Sequence, residues 1–332
     1  MARTHDRSWT IRDAHPEDRD ASIALVYRAF DDEPFSVNPV ALWDWLFVDH
    51  PAGPGAFVVA DAGEALAGQY ATVPVRLQHA GRIVPALMSV QTATDPAFQR
   101  QGILSALAEN LYEQTRADVP IVFGFPNPAV APARYGRLGW VELRPFPILG
   151  RLVAGLPSRP RRRRITTFES FGPWADELWE ELAPGLGTCA IRDSTYLNWR
   201  FRDTPYDYLR FAVVREGVPV AFAVLGFARS RGRRIAYVME VMARADDGAA
   251  ARALVAHCAH AAGRSGARVI STIATHRHPH RNAFLRAGLV PLPQQLRRSF
   301  SFGVRNNGPG AVPNELFHID DWYITPADLD YV

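Results

Sequence analysis

The stretch Thr92-Ala93-Thr94-Asp95-Pro96-Ala97-Phe98-Gln99-Arg100-Gln101-Gly102-Ile103-Leu104-Ser105 reads as a strand, a short turn and the first turn of a helix. Gly102 stands where the loop becomes the helix. Leu104, Leu107, Ala108, Leu111 and Thr115 then recur at helical spacing, with Glu109 and Glu113 on the other side. A helix start leaves backbone N–H groups without partners and carries a partial positive charge. A glycine at that junction lets the backbone come close to a ligand. Together these features make a small anion cradle suited to a pyrophosphate. An ordinary strand–turn–helix with a glycine at the turn gives the same local pattern.

Downstream, Pro120-Ile121-Val122-Phe123-Gly124-Phe125 is a short apolar run suited to a buried strand. Pro126, Asn127 and Pro128 follow, then a helical segment containing Tyr135, then Leu138-Gly139-Trp140. In order and spacing these residues resemble the GNAT N-acyltransferases. Gln99-x-x-Gly102 after a strand resembles their acyl-CoA loop, Gln/Arg-x-x-Gly-x-Gly/Ala. Asn127, a short helix and Tyr135, four residues before Gly139, resemble their next motif. The chain departs from the pattern at Leu104, where a small residue is usual. The gap from Asn127 to Tyr135 is also longer than usual by two residues, around Pro128 and Pro132.

The resemblance implies a co-substrate, acetyl-CoA or another acyl-CoA, and no metal. It implies that backbone groups of Thr92, Ala93 and Thr94 hold the pantetheine arm like an added strand. The amides of Gln99, Arg100, Gln101, Gly102, Ile103, Leu104 and Ser105 would hold the pyrophosphate, with Asn127 beside the cofactor, and Tyr135 would sit near the sulfur as general acid. A tyrosine packed only by its ring is the plain alternative. Acyl transfer to an amine also needs a proton acceptor. The strand position where relatives often carry glutamate falls among Ser89, Gln91 and Thr92, none of which is a base near neutral pH. Asp31, Asp32 and Glu33, between the first two helices, are candidates, as are Asp328, Asp330 and the terminal carboxylate; a relay of waters is equally open. Asp32, Glu33 and Gln91 are also the candidate acceptor contacts. The expected acceptor is a small-molecule amine, such as an amino sugar or a biosynthetic intermediate.

The elements that would position these groups follow the family's order. Trp9–Arg12 reads as a strand, Pro16–Phe30 as a helix opened by proline, and Pro39–Val48 as an aromatic-rich helix. Phe57–Asp61, Ala65–Leu77 and Arg82–Thr94 read as three strands leading into the loop. The second half repeats the order. Asp193–Arg202 is a helix, Leu209–Arg215 and Val218–Ala228 a hairpin, Arg234–Ala243 a strand, Ala249–Ala262 a helix and Ala267–Ile273 a strand, before Asn282–Leu289. There Phe284 replaces the tyrosine, and phenylalanine donates no proton. Asp246 and Asp247 precede the helix, where carboxylates cap well but repel a pyrophosphate. The expected fold class is therefore α+β: two tandem GNAT-like domains, each a mixed, mostly antiparallel sheet flanked by helices. Residues 1–150 are expected to be catalytic, 151–165 to be a Pro/Arg-rich linker, and 166–332 to be a degenerate second domain with a docked tail.

Bulk properties agree with an enzyme of this kind. The chain has 332 residues, long enough for two domains, and is 48% apolar and 21% charged. Its polar start and the lack of an apolar span point to a cytoplasmic protein without a membrane segment. Cys189 and Cys258, far apart, read as buried thiols rather than a disulfide or metal site. The sequence contains no lysine, so all 37 basic residues are arginine, which suggests a GC-rich bacterial genome. Arg159 with Arg161–Arg164, and Arg229 with Arg231, Arg233 and Arg234, read as a solvated linker and hairpin tip. Neither cluster is interleaved with aromatics, which argues against nucleic acid. Two other readings stand beside the acyltransferase: a non-catalytic acyl-CoA-binding or scaffold protein, and a tandem-domain transferase drawing on aminoacyl-tRNA. Residue patterns do not reach the oligomeric state.

Overall fold

The computed structural model describes residues 8–30, 37–127, 130–144, 146–153, 165–230, 232–293, 301–310 and 312–329. Asp31, Asp32, Glu33, Asp330, the terminal carboxylate and the arginine run at 159–164 lie outside them.

The first half opens with β1 (Thr10–Asp13), α1 (Arg19–Ala29), α2 (Pro39–Phe47), β2 (Phe57–Asp61), β3 (Leu66–His79) and β4 (Arg82–Thr94). It continues with α3 (Ile103–Thr115), β5 (Ile121–Gly124), α4 (Ala131–Gly136) and β6 (Val141–Glu142). Local chemistry sets several boundaries. Pro16–Asp18 forms a 3-10 turn, so the helix expected from Pro16 begins at Arg19. Asn38 caps α2 by accepting from the Val40 and Ala41 amides, both at 3.0 Å. The β3–β4 hairpin turns through Ala80 and Gly81, both left-handed.

The later elements are β7 (Ile148–Leu152), β8 (Ile165–Thr167), α5 (Pro173–Leu182), β9 (Cys189–Ala190) and α6 (Ser194–Phe201). After them come β10 (Leu209–Arg215), β11 (Val218–Ser230), β12 (Arg233–Ala243), α7 (Gly248–Arg264), β13 (Val269–Ile273), α8 (Arg281–Arg286) and β14 (Val290–Pro291). The chain closes with β15 (Gly303–Asn306) and short 3-10 turns.

One sheet runs β1-β2-β3-β4-β5-β15-β6, with β9 paired to the end of β3; the other runs β14-β7-β13-β12-β11-β10-β8. Both are mixed and mostly antiparallel: the parallel ladders are β4 with β5 and β12 with β13. The chain forms two compact units. The first is 1–76, 85–142 and 301–313; the second is 77–84, 143–300 and 314–332. The boundary thus falls at 142/143 rather than within 151–165, because Arg151 and Leu152 already pair with Ile270 and Val269 in the second sheet. A segment from the far end of the sequence returns to complete the first sheet, where β15 pairs with both β5 and β6. The first half of the sequence therefore does not close its own sheet.

In the first unit, α3 lays Ile103, Leu107, Ala108, Leu111 and Tyr112 on Val58, Ala60, Ala67, Tyr70, Leu87 and Val122. Each fully buried large aliphatic side chain contributes about 1.5–3 kcal/mol. Gly68 on β3 allows the close approach, since a Cβ there would lie 2.5 Å from Ile103 Cγ2. In the second unit, α7 buries Leu254, Val255, Cys258 and Ala262 against Val238, Val241, Ala223 and Leu225. Arg229 and Arg234 face each other at the β11–β12 tip, and the Arg234 guanidinium lies 4.2 Å from the Phe227 ring.

Candidate active site

The loop entering α3 is pinned at its start and open at its end. Asp95 donates its amide to Ala67 O at 2.9 Å, its Oδ1 accepts from Ala97 N, and its Oδ2 meets Arg28 Nε at 2.6 Å. Arg28 in turn donates to Leu66 O. Phe98 is buried, while Gln99, Arg100, Gln101 and Gly102 are exposed. Arg100 and Gly102 both take left-handed φ, +64° and +77°. For Gly102 this is inexpensive; for Arg100 it is a cost the fold bears in order to turn the loop. Gly102 is the N-cap of α3 and has no side chain to cap it, and the first turn contains no acidic residue. The leading N–H groups of α3 are thus available to an anion. Ile103 is buried in the core, and Leu104 packs partly against that core. A Cβ at Gly102 would meet nothing within 4 Å, so there is open space where a ligand can lie.

Beside this loop, β4 and β5 separate. Their parallel register runs from Ala86/Ile121 to Ser89/Gly124 and stops there. The strand β4 continues to Thr94, and the chain after β5 departs through Phe125, Pro126 and Asn127. Gln91 has φ +43°, a kink in mid-strand, and its carbonyl is held by Gln69 Nε2 at 2.9 Å. Gln69 is fully buried and accepts from Ser22 Oγ at 2.8 Å. Gln91 is thus a held backbone bend, with Thr92, Ala93 and Thr94 running on from it toward the loop.

The short helix α4 closes the fork from one side. Asn127 Oδ1 accepts from Val130 N, so this side chain supports the turn into α4. Arg134 and Tyr135, adjacent on α4, go different ways. Arg134 is 3% exposed and donates from Nη2 to Ser89 Oγ (2.8 Å) and Thr92 Oγ1 (3.0 Å), bridging the kink of β4. Tyr135 lies over Gly303, where a Cβ would come 2.8 Å from its ring. Its hydroxyl is 2.5 Å from Ser301 Oγ, and Ser301 donates to Glu142 Oε1 at 2.9 Å. Since the single proton of Ser301 goes to Glu142, the Tyr135 O–H is the donor to Ser301. The sequence reading names Tyr135 for the sulfur side of the fork; the side chain that reaches Ser89 and Thr92 is Arg134, which that reading did not select.

The corresponding positions of the second unit are filled by the chain itself. Asp247 caps α7, accepting from Ala250 N at 3.0 Å and pairing with Arg215. Phe284 is buried in the core. On β12, Glu240 is fully enclosed. It accepts from Arg192 Nε (2.9 Å), Tyr323 Oη (2.5 Å) and Thr325 Oγ1 (3.1 Å). Burial pushes the Glu240 carboxyl up, and Arg192 opposes it. Asp328 lies bidentate on Arg192 Nη2, both at 2.7 Å, so this candidate base is bound in a structural ion pair. Trp322, Tyr323 and Ile324 are buried. A cavity of about 200 Å³ lined by Thr275, His278, Asp321 and Tyr323 contains none of the candidate site residues. Both cysteines are buried, and burial raises each thiol to about 12.

Residues 10–142 match the family model described as an acetyltransferase (GNAT) domain. No curated protein sequence matches the chain. Among solved structures, a GCN5-related N-acetyltransferase from Anabaena variabilis is 14% identical; the alignment covers 90% of this chain and 73% of that one, with TM-score 0.64. N-myristoyltransferase from Saccharomyces cerevisiae, with bound myristoyl-CoA, is 11% identical over 98% of this chain and 85% of its own, also with TM-score 0.64. A GCN5-related N-acetyltransferase from Kribbella flavida is 16% identical over 90% and 70%, with TM-score 0.58. At such identities the likeness is one of fold. No helix among the described residues is long and apolar enough to cross a membrane. Residues 10–142 thus match the family model of a GNAT domain, and the chain shares the fold of these acyltransferases.

Proposed function

We propose that the protein is an acyl-CoA-dependent N-acyltransferase that moves an acetyl or other acyl group to a small-molecule amine. The observation that carries this reading is the uncapped start of α3 at Gly102, with open space before it and the β4–β5 fork beside it. The amides from Gln99 to Ser105 hold the pyrophosphate, and the backbone of Thr92–Thr94 holds the pantetheine arm as an added strand. When bound, the acyl-CoA supplies an activated thioester carbonyl. The chain's part is to orient that carbonyl, exclude water and manage two protons. Gln91 and the 31–33 segment are the proposed acceptor side. Tyr135 is the proposed acid; to reach a sulfur its O–H must leave Ser301. The tail carboxylate Asp328 is not proposed as the base, since Arg192 holds it.

Two measurements test this. Thermal shift with acetyl-CoA, and separately with tRNA, distinguishes the acyltransferase from an aminoacyl-tRNA transferase; stabilisation by tRNA alone would refute the proposal. Thiol release from acetyl-CoA across a panel of amines then separates catalysis from mere binding. In that assay Tyr135→Phe keeps the ring on Gly303, so acetyl-CoA affinity should persist while kcat falls about 10²–10⁴-fold. An unchanged kcat, where chemistry limits the rate, would remove Tyr135 from the mechanism.

A further inference from the structure

Arg134 is a buried cation with no anion among the described residues. Its hydrogen bonds go to two neutral hydroxyls, Ser89 and Thr92. Its Nε is buried with no partner among the described residues. The guanidinium lies 4.8 Å from the Trp140 ring and 5.5 Å from the Tyr70 ring, faces that suit a cation but do not neutralise it. Arginine keeps its charge inside proteins, and an uncompensated buried charge is expensive. The fold bears this cost at the point where β4 and β5 part. Ser89 and Gly124 are the last pair of the ladder, and a Cβ on Gly124 would lie 3.6 Å from Arg134 Nη1. The glycine therefore leaves room beside the unused donors of this side chain.

We propose that Arg134 stabilises the thiolate leaving group. The inference rests on the acyl-CoA reading of the fork. The amine nitrogen forms a bond to the thioester carbonyl carbon, and the C–S bond breaks with its electron pair remaining on sulfur. The amine proton passes to water. The negative charge formed on sulfur then faces Arg134 before any proton reaches it. This division of labour fits the two α4 neighbours: the Tyr135 O–H is directed at Ser301, whereas Arg134 is directed at the fork.

The test is the ionisation of bound CoA. A cation within about 4–6 Å lowers a thiol pKa by about 1–3 from its ordinary value of about 8.5. The ultraviolet absorbance of the thiolate should therefore appear about 1–3 pH units lower for CoA bound to the protein than for CoA in buffer. Calorimetry from pH 7 to 9.5 should show CoA binding tighten by about 7- to 30-fold while acetyl-CoA affinity stays flat. Arg134→Met should abolish both effects and leave acetyl-CoA affinity in place; Arg134→Lys should retain part of them. If the Met variant fails to fold, the wild-type absorbance titration decides alone. Bound CoA that titrates like free CoA, with acetyl-CoA still bound, overturns the role of Arg134 and spares the binding site. Absence of acetyl-CoA binding overturns both. Preference for succinyl-CoA over acetyl-CoA, lost in Arg134→Met, would make the arginine a reader of acyl carboxylates and overturn the thiolate assignment.

Discussion

Replacing Gly102 with aspartate should remove acyl-CoA binding while leaving the protein folded. The separation follows from the geometry. Gly102 has φ +77°, and a Cβ there meets nothing within 4 Å, so the substitution costs backbone strain without a clash. A left-handed non-glycine residue costs about 1–2 kcal/mol, and a negative charge at a helix start returns about 0.3–1 kcal/mol. The net loss is therefore about 1 kcal/mol, a few degrees in Tm. A bound pyrophosphate places about two charges roughly 5 Å from the new carboxylate. At an effective dielectric between that of a protein surface and that of water, the repulsion is on the order of 2–4 kcal/mol after screening. That is about 30- to 1,000-fold in Kd. Gly102→Ala carries the strain without the charge and should weaken binding less than about fivefold. Calorimetric titration of acetyl-CoA, with circular dichroism melts of each variant, reads both quantities. A folded Gly102→Asp protein that binds acetyl-CoA within threefold of wild type would refute the assignment of the loop.

Other outcomes follow from the second unit and the buried titratable groups. Because Asp247 occupies the start of α7 and Phe284 is buried in the core, titration should give one CoA per chain; a stoichiometry of two would contradict this. Arg192→Met would leave Glu240 and Asp328 buried without their cation, at a cost of about 3–5 kcal/mol in urea denaturation; a loss below about 1 kcal/mol would show the network to be dispensable. Burial pushes His50 and His280 from the ordinary 6.5 down to about 4. The native state keeps both neutral where the unfolded chain takes up protons. Stability should be full above about pH 6.5 and fall toward pH 4, by up to about 3 kcal/mol per histidine; equal urea midpoints at pH 7 and pH 5 would refute it.

Much of the fold is legible in local pattern. Alternation and turn residues delimit β2, β4 and β10 at the observed residues, and the apolar stripe of α3 faces the core. What sequence periodicity cannot show is the return of β15, which pairs with β5 from about 180 residues away in sequence. Its glycine, Gly303, is explained by the Tyr135 and Trp140 rings, which a Cβ there would meet at 2.8 and 3.0 Å. Arg134 was hidden for a related reason. A charged residue in a short helical segment reads as solvated, and nothing local shows that Trp140, Tyr70 and the β4 kink enclose it. Gly68 likewise looks like a weak point in a strand until the first turn of α3 is placed over it.

The most direct test of the account is a crystal structure of the protein with acetyl-CoA. The account predicts one molecule per chain, its pyrophosphate on the amides of Gly102–Ser105, its pantetheine arm along Thr92–Thr94 and its sulfur beside Arg134. A pyrophosphate bound elsewhere, or an arm that does not enter between β4 and β5, would contradict it.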